Sequence, residues 1–281
     1  MVYSINNDTS ALFSTNQLHK TGQSMLSSLE KIASGKRLNK AADDASGLVI
    51  ADALGSQARG FGISIRNAND AVAIAQVADG ALGQATELIN SIRVQALQAA
   101  NGSQSASSRQ ALQANVQKSL DQLSSLAKNT SYNGQQLLSG GFTDRNFQVG
   151  PSPSETITLS LGSIQPSQLG DEKLGTLAQV NVLSPEGAQT ALGISDAALA
   201  QVDAMRGDVG ARQNQLASTI SNLATSRINT LAAESTVRDL DLAEESANFA
   251  TMEALNTAQI FAAAQANSSK KNVINLLQGQ F

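Results

Sequence analysis

Residues able to ionise, coordinate or attack are few in this chain. Cysteine is absent and histidine occurs once, as His19. One imidazole and no thiolate leave only carboxylates for a transition metal, so no zinc centre is expected. No disulfide or thiol chemistry is possible. The adjacent carboxylates Asp43 and Asp44 could act as an acid pair or hold a cation. Their position just before a helical pattern suits them instead to capping, since Asp accepts from the free N–H groups of a first turn. A catalytic histidine needs a partner and a cleft, and His19 has neither in its surrounding sequence. Asp239, Asp241, Glu244 and Glu245 cluster where a helix starts, which is a favourable place for negative charge. Gly60, Gly80 and Gly83 follow no strand, so they form no phosphate loop. Neither a cofactor nor an enzymatic activity is expected.

The elements that carry these residues are written for helix pairing. Ile5, Leu12, His19, Leu26 and Ala33 stand seven apart, and Leu18, Met25 and Ile32 form the adjacent row. Val202, Val209, Leu216 and Leu223 repeat the spacing far downstream. A seven-residue apolar repeat makes a narrow stripe that another helix must cover. Aromatic residues make up only 3% of the 281 residues. Ala, Leu, Ile and Val must therefore supply the core, which favours close helix packing and leaves little material for an enclosed pocket. The net charge of −4, with no basic stripe, argues against nucleic acid and against an anionic membrane surface. No apolar run is long enough to span a bilayer. Met1–Ser10 is polar, so no cleavable secretory signal is expected.

The pattern predicts a helix over 4–34 with Gly35 as its stop, and a polar connector at 36–44. A long helix follows over about 45–100, then one over about 107–129 with Leu112, Val116, Leu120, Leu123 and Leu126 on its apolar side. Between 130 and 185 Gly and Pro concentrate. Thr156–Leu161 alternates with period two, and Phe147–Gly150 is its expected strand partner. Helix is expected to resume at Ser195, as an N-cap with Ile194 stapled to Leu199. Asp241 and Glu244 are placed as a capping box opening a last helix over 241–277. The expected fold is mostly α: a coiled-coil-like helical rod with paired N- and C-terminal helices and one small β-hairpin in the distal part.

Ser34–Leu48 reads SGKRLNKAADDASGL. Gln76–Leu82 reads QVADGAL, Gly210–Leu216 reads GARQNQL, and Asp239–Glu245 reads DLDLAEE. Gln265-Ala266-Asn267 precedes Leu276-Leu277. In order and spacing these blocks resemble the bacterial flagellins, in a short form that lacks the outer variable domains. The resemblance spans roughly the first 140 and last 90 residues. It implies a structural subunit that polymerises with itself into the flagellar filament, outside the cell, for motility. A hook–filament junction protein shares similar terminal helices and is the alternative. It also implies a terminal domain of residues 1–44 and 237–281 lining the filament channel, and a rod domain of 45–236 with a hairpin around 140–165. The terminal helices would be disordered in the monomer and fold on polymerisation. Export through the flagellar type III channel, an export chaperone on the C-terminal helix, and cap and hook-junction proteins as partners would follow.

On this resemblance the polymerisation and inner-helix interface comprises Ile5, Leu12, Leu18, Leu26, Leu242, Phe249, Leu255, Leu276 and Leu277. Lys36, Arg37 and Lys40 would meet Asp239 and Asp241 in a polar contact between connectors. Flagellins detected by the animal innate receptor share an Arg and a Leu on the rod helix and a Glu on the next. Motif alignment puts Ser91, Gln95 and Asn115 at those positions, although the neighbouring Arg93, Gln98 and Asn101 fit the family. Loss of a cation, an apolar anchor and an anion implies poor receptor activation.

Overall fold

The structure is a computed structural model describing residues 9–171, 173–277 and 279. In chain order its elements are α1 (Thr9–Ser34), α2 (Ala45–Ala100), α3 (Ala106–Asn129), β1 (Ser131–Tyr132), β2 (Gln135–Gln136), β3 (Arg145–Gln148), β4 (Thr156–Leu159), β5 (Gly170–Asp171), β6 (Gly175–Thr176), α4 (Pro185–Arg238) and α5 (Leu242–Leu277). Contacts divide the chain into two compact units. One gathers residues up to 56 with those from 229 onward; the other is 57–228.

The larger unit is built on a seam of small side chains. Within this unit the α2 positions with no exposure at all are Ala68, Ala71, Ala75, Ala78, Leu82, Ala85, Ile89, Ile92, Ala96 and Ala99. They alternate steps of three and four, the spacing that keeps one face of a helix against a neighbour. On α4 Ala188, Ala191, Ser195, Ala198, Val202, Val209 and Leu216 keep the same phase. Leu112, Val116, Leu120 and Leu123 of α3 close the same core. Alanine carries almost no side-chain entropy cost, so a long alanine seam orders at little expense and lets backbones approach closely.

Three two-stranded antiparallel pairs interrupt the helices among the described residues, where the sequence predicts one. The predicted hairpin is β3–β4, with Phe147 opposite Ile157 and Arg145 opposite Leu159. Ile157 and Leu159 are buried while Thr156 is exposed, so its period-two pattern serves a one-sided strand. The pairs β1–β2 and β5–β6 are two residues per strand, too short to show any period. Asn133 and Gly134 link β1 to β2 with φ of 49° and 77°, the conformation of a two-residue hairpin turn.

Helix α4 starts ten residues before the predicted Ser195. Ser184 Oγ accepts from the Gly187 N–H at 3.0 Å, and Pro185 occupies the first helical position, where a missing N–H costs nothing. Ser195 is fully buried inside the helix, with its hydroxyl bonded to the Ala191 carbonyl at 2.8 Å. Ile194 belongs to the core rather than to a cap.

Ile92 and Val94 are neighbours on α2 with opposite fates: 0% and 61% exposed. Ile92→Ala is expected to cost about 2–5 kcal/mol and Val94→Ala less than about 0.5 kcal/mol. Denaturant unfolding followed by circular dichroism measures both.

Candidate assembly interface

In the unit formed by the two ends of the chain, α1 packs on α5 with opposite sense. Lys36 bridges to Asp239, whereas Leu18 and Gly22 line one groove with Asn256 and Ile260. The facing residues are Ser14, Leu18, Thr21, Met25, Ser28 and Ile32 on α1, and Glu245, Phe249, Met252, Asn256, Gln259 and Ala263 on α5, all buried or half-buried. Both runs alternate steps of four and three. The spacing is that of the larger unit, but the chemistry is not, because half of these positions are polar. Ser28 is 2% exposed, and neither its hydroxyl nor Gln259 Oε1 has a hydrogen-bond partner among the described residues. Buried polar groups without partners cost free energy, so this seam is weak.

Further large apolar residues lie outside the seam. Leu12 is 62% exposed, Phe13 69%, Leu26 64%, Leu242 56%, Leu255 51% and Phe261 78%. Of the interface residues expected from the sequence, Leu18 and Phe249 therefore face the partner helix, while Leu12, Leu26, Leu242 and Leu255 face outward. Ile5 lies outside the described residues, as do the side chains of Leu276 and Leu277. His19 is exposed beside the groove, and among the described residues no cluster of metal-binding groups occurs. Among them, too, no helix is long and apolar enough to cross a membrane.

The connectors meet, and main chain joins them. Gly35 ends α1 with φ 66°, in the left-handed region that favours glycine at a helix stop. Its carbonyl accepts from the Leu240 N–H at 3.1 Å, and the Arg37 N–H donates to the Arg238 carbonyl at 2.8 Å. The Arg37 guanidinium adds a bond to the Val237 carbonyl at 2.7 Å. Lys40, Asp239 and Asp241, expected to pair across this contact, are engaged within their own segments. Lys40 pairs with Glu30 at 2.6 Å, and Glu30 holds its ammonium above the ordinary lysine value. Asp239 accepts from Ser235 Oγ at 2.6 Å. Asp241 accepts from the Ala243 and Glu244 N–H groups at 2.9 and 3.2 Å, opening α5. Arg238, which no sequence motif marks, reaches Asp52 at 3.1 Å and Glu234 at 3.7 Å and ties α4 to α2 inside this unit.

Asp43 and Asp44 turn the chain into α2. Asp43 accepts from the N–H groups of Asn39 and Lys40 at 3.1 and 3.0 Å. Asp44 Oδ1 accepts from the N–H groups of Ser46 and Gly47 and from the Ser46 hydroxyl, at 2.8–3.1 Å. The Lys40 N–H holds the Asp43 carboxyl below the usual carboxylate range, as the Gly47 N–H does for Asp44.

The receptor-region residues belong to the larger unit. Ser91 Oγ accepts from Gln95 Nε2 at 3.3 Å on α2. Asn115 is exposed on α3, and Arg93 is paired to Asp196 at 2.5 Å.

The chain is similar to known proteins. The family model described as the bacterial flagellin N-terminal helical region matches residues 5–143, and that of the C-terminal helical region matches 192–277. The flagellar filament 31.3 kDa core protein of Treponema maltophilum is 32% identical over 98% of this chain and 99% of its own length. Flagellin A of Vibrio cholerae is 29% identical over 99% of this chain and 100% of its own. A solved structure described as a flagellar hook-associated protein, from Vibrio parahaemolyticus, covers 70% of this chain and 100% of its own. Its TM-score is 0.59 at 17% identity, a likeness of fold. The chain belongs to the bacterial flagellin family.

Because both carboxyls are held below their ordinary values, their contribution is present above the unfolded value near 3.8 and is lost as pH falls through the lower folded value. Asp44→Asn is expected to weaken the start of α2 at neutral pH and to flatten its acid sensitivity. Hydrogen exchange at the Ser46 and Gly47 amides, measured from neutral to acid pH, reads both effects.

Proposed function

We propose that this chain is a non-enzymatic structural subunit that polymerises with itself into a bacterial flagellar filament, outside the cell, for motility. One observation carries the reading: the terminal helix pair leaves Leu12, Phe13, Leu26, Leu242, Leu255 and Phe261 exposed on its outer face and keeps a half-polar seam inside. A two-helix pair of that kind is marginal alone in water. Covering the exposed part of each outward leucine with neighbouring copies contributes about 1–2 kcal/mol, repeated at every subunit. The end-to-end match to a filament core protein and to a flagellin supports the same reading.

On this proposal residues 1–44 and 237–281 form the inner, channel-lining domain, and 45–236 the rod domain outward of it. Export through the flagellar type III channel, a chaperone on the C-terminal helix, and cap and hook-junction proteins as partners belong to the same reading. So does poor activation of the animal innate receptor. Ser91 and Gln95, joined by one hydrogen bond, put two uncharged polar groups where the receptor-active pattern has a cation and an apolar anchor.

Leu26→Asp is expected to stop filament elongation while leaving the 57–228 unit folded, because a buried charge costs about 2 kcal/mol or more at each repeat. Seeded growth scored by negative-stain microscopy measures elongation, and circular dichroism measures folding. Normal filaments from this variant would remove the outward leucines from the interface. In receptor reporter cells the unaltered protein is expected to be far less potent than a flagellin carrying the Arg, Leu and Glu. Restoring those three at positions 91, 95 and 115 is expected to raise its potency.

A further inference from the structure

The turn between α2 and α3 gathers hydrogen-bond donors around one exposed asparagine. Asn101 is followed by Gly102, and both are exposed. The side-chain oxygen Oδ1 of Asn101 accepts from the Ser103 N–H at 3.0 Å and from the Ser103 hydroxyl at 3.1 Å. Its main-chain carbonyl accepts from Arg109 Nη2 at 3.1 Å and from the Gln104 N–H at 3.2 Å. Arg109 is itself anchored, Nε donating to the Ala99 carbonyl at 2.9 Å. No other residue comes within 4 Å of the place a Cβ on Gly102 would occupy.

These bonds act on the two ends of one reaction. When a glycine amide nitrogen attacks the preceding asparagine side chain, negative charge develops on Oδ1. Here two donors already point at that oxygen, the arrangement that stabilises an oxyanion. The attacking nitrogen must also lose its proton. It is conjugated with the Asn101 carbonyl, and a charge-assisted hydrogen bond from a guanidinium draws electron density from that carbonyl. The amide of Gly102 is thereby made more acidic. Glycine leaves the nitrogen unshielded and the backbone free to swing toward Cγ.

We infer that Asn101-Gly102 is a built-in site of spontaneous deamidation, activated by Ser103 and Arg109. The Gly102 N–Cγ bond forms and the Cγ–Nδ2 bond breaks. The Gly102 amide proton passes to solvent, and Nδ2 takes up a proton from solvent and leaves as ammonia. Water then opens the cyclic imide at either carbonyl, giving aspartate or isoaspartate and one new negative charge. Asn133-Gly134 is the internal comparison. It has the same dipeptide, but Asn133 is held at φ 49° in a hairpin turn, and among the described residues no hydrogen bond reaches its side-chain oxygen.

The test incubates the soluble full-length protein at neutral pH in heavy-oxygen water and maps peptides by mass spectrometry, for the native chain and for the same chain unfolded in urea. Native Asn101 is expected to convert at least as fast as unfolded Asn101, and on the order of tenfold faster than native Asn133. Arg109→Gln and Ser103→Ala are each expected to slow Asn101 severalfold with Asn133 unchanged, which separates lost activation from lost folding. Slower conversion of Asn101 in the native than in the unfolded chain, or rates indifferent to both substitutions, would overturn the proposal.

Discussion

Alternate steps of three and four residues, with one face turned to a neighbouring helix, form the constraint on which everything else in this molecule depends. In the 57–228 unit that face is filled by Ala, Leu, Ile and Val, with Ser195 bonded back to its own helix. In the terminal unit the same rhythm is kept while Ser14, Thr21, Ser28, Glu245, Asn256 and Gln259 occupy half of the places. Identical geometry with different chemistry yields two different stabilities. Polar seam residues in coiled coils specify register at a cost in stability, and that cost is acceptable where further copies supply the missing burial.

The outward leucines are the counterpart of that weakness. A large apolar side chain on the surface of an isolated protein is unremarkable when single. Here such residues recur on both terminal helices, while half of the inward positions are polar. The terminal pair thus leaves large apolar side chains uncovered on its outer face. Those positions await neighbours, which joins the fold to polymer formation.

How much of this was legible in the sequence depended on which physical term decided each feature. Helix α2 was readable at both ends because Asp44 caps it and the Asn101-Gly102 turn stops it. The start of α4 was missed because Gly187 and Gly193 resemble loop, whereas burial of Ala188 and Ala191 overrides their poor helix propensity. The Ser184-Pro185-Glu186 start signal was present and went unread. The rows Leu12–His19–Leu26 and Leu18–Met25–Ile32 share one period, so spacing could not say which faces the partner helix. Only the phase against α5 separates them. The connector contact was expected from opposite charges, yet it is made by carbonyls and N–H groups, which no side-chain pattern encodes.

That last feature bears on the surroundings the molecule can endure. Ion pairs between exposed groups fade as salt rises, since screening shortens their reach to a few ångströms in concentrated brine. The bonds from Arg37 to Arg238 and from Leu240 to Gly35 carry no net charge, so they hold equally in dilute and in concentrated media. A fastening of this kind also tolerates drift in residue type along both strands, provided Gly35 keeps its left-handed backbone. The junction of the two ends is thereby largely insulated from the ionic composition of whatever fluid bathes it.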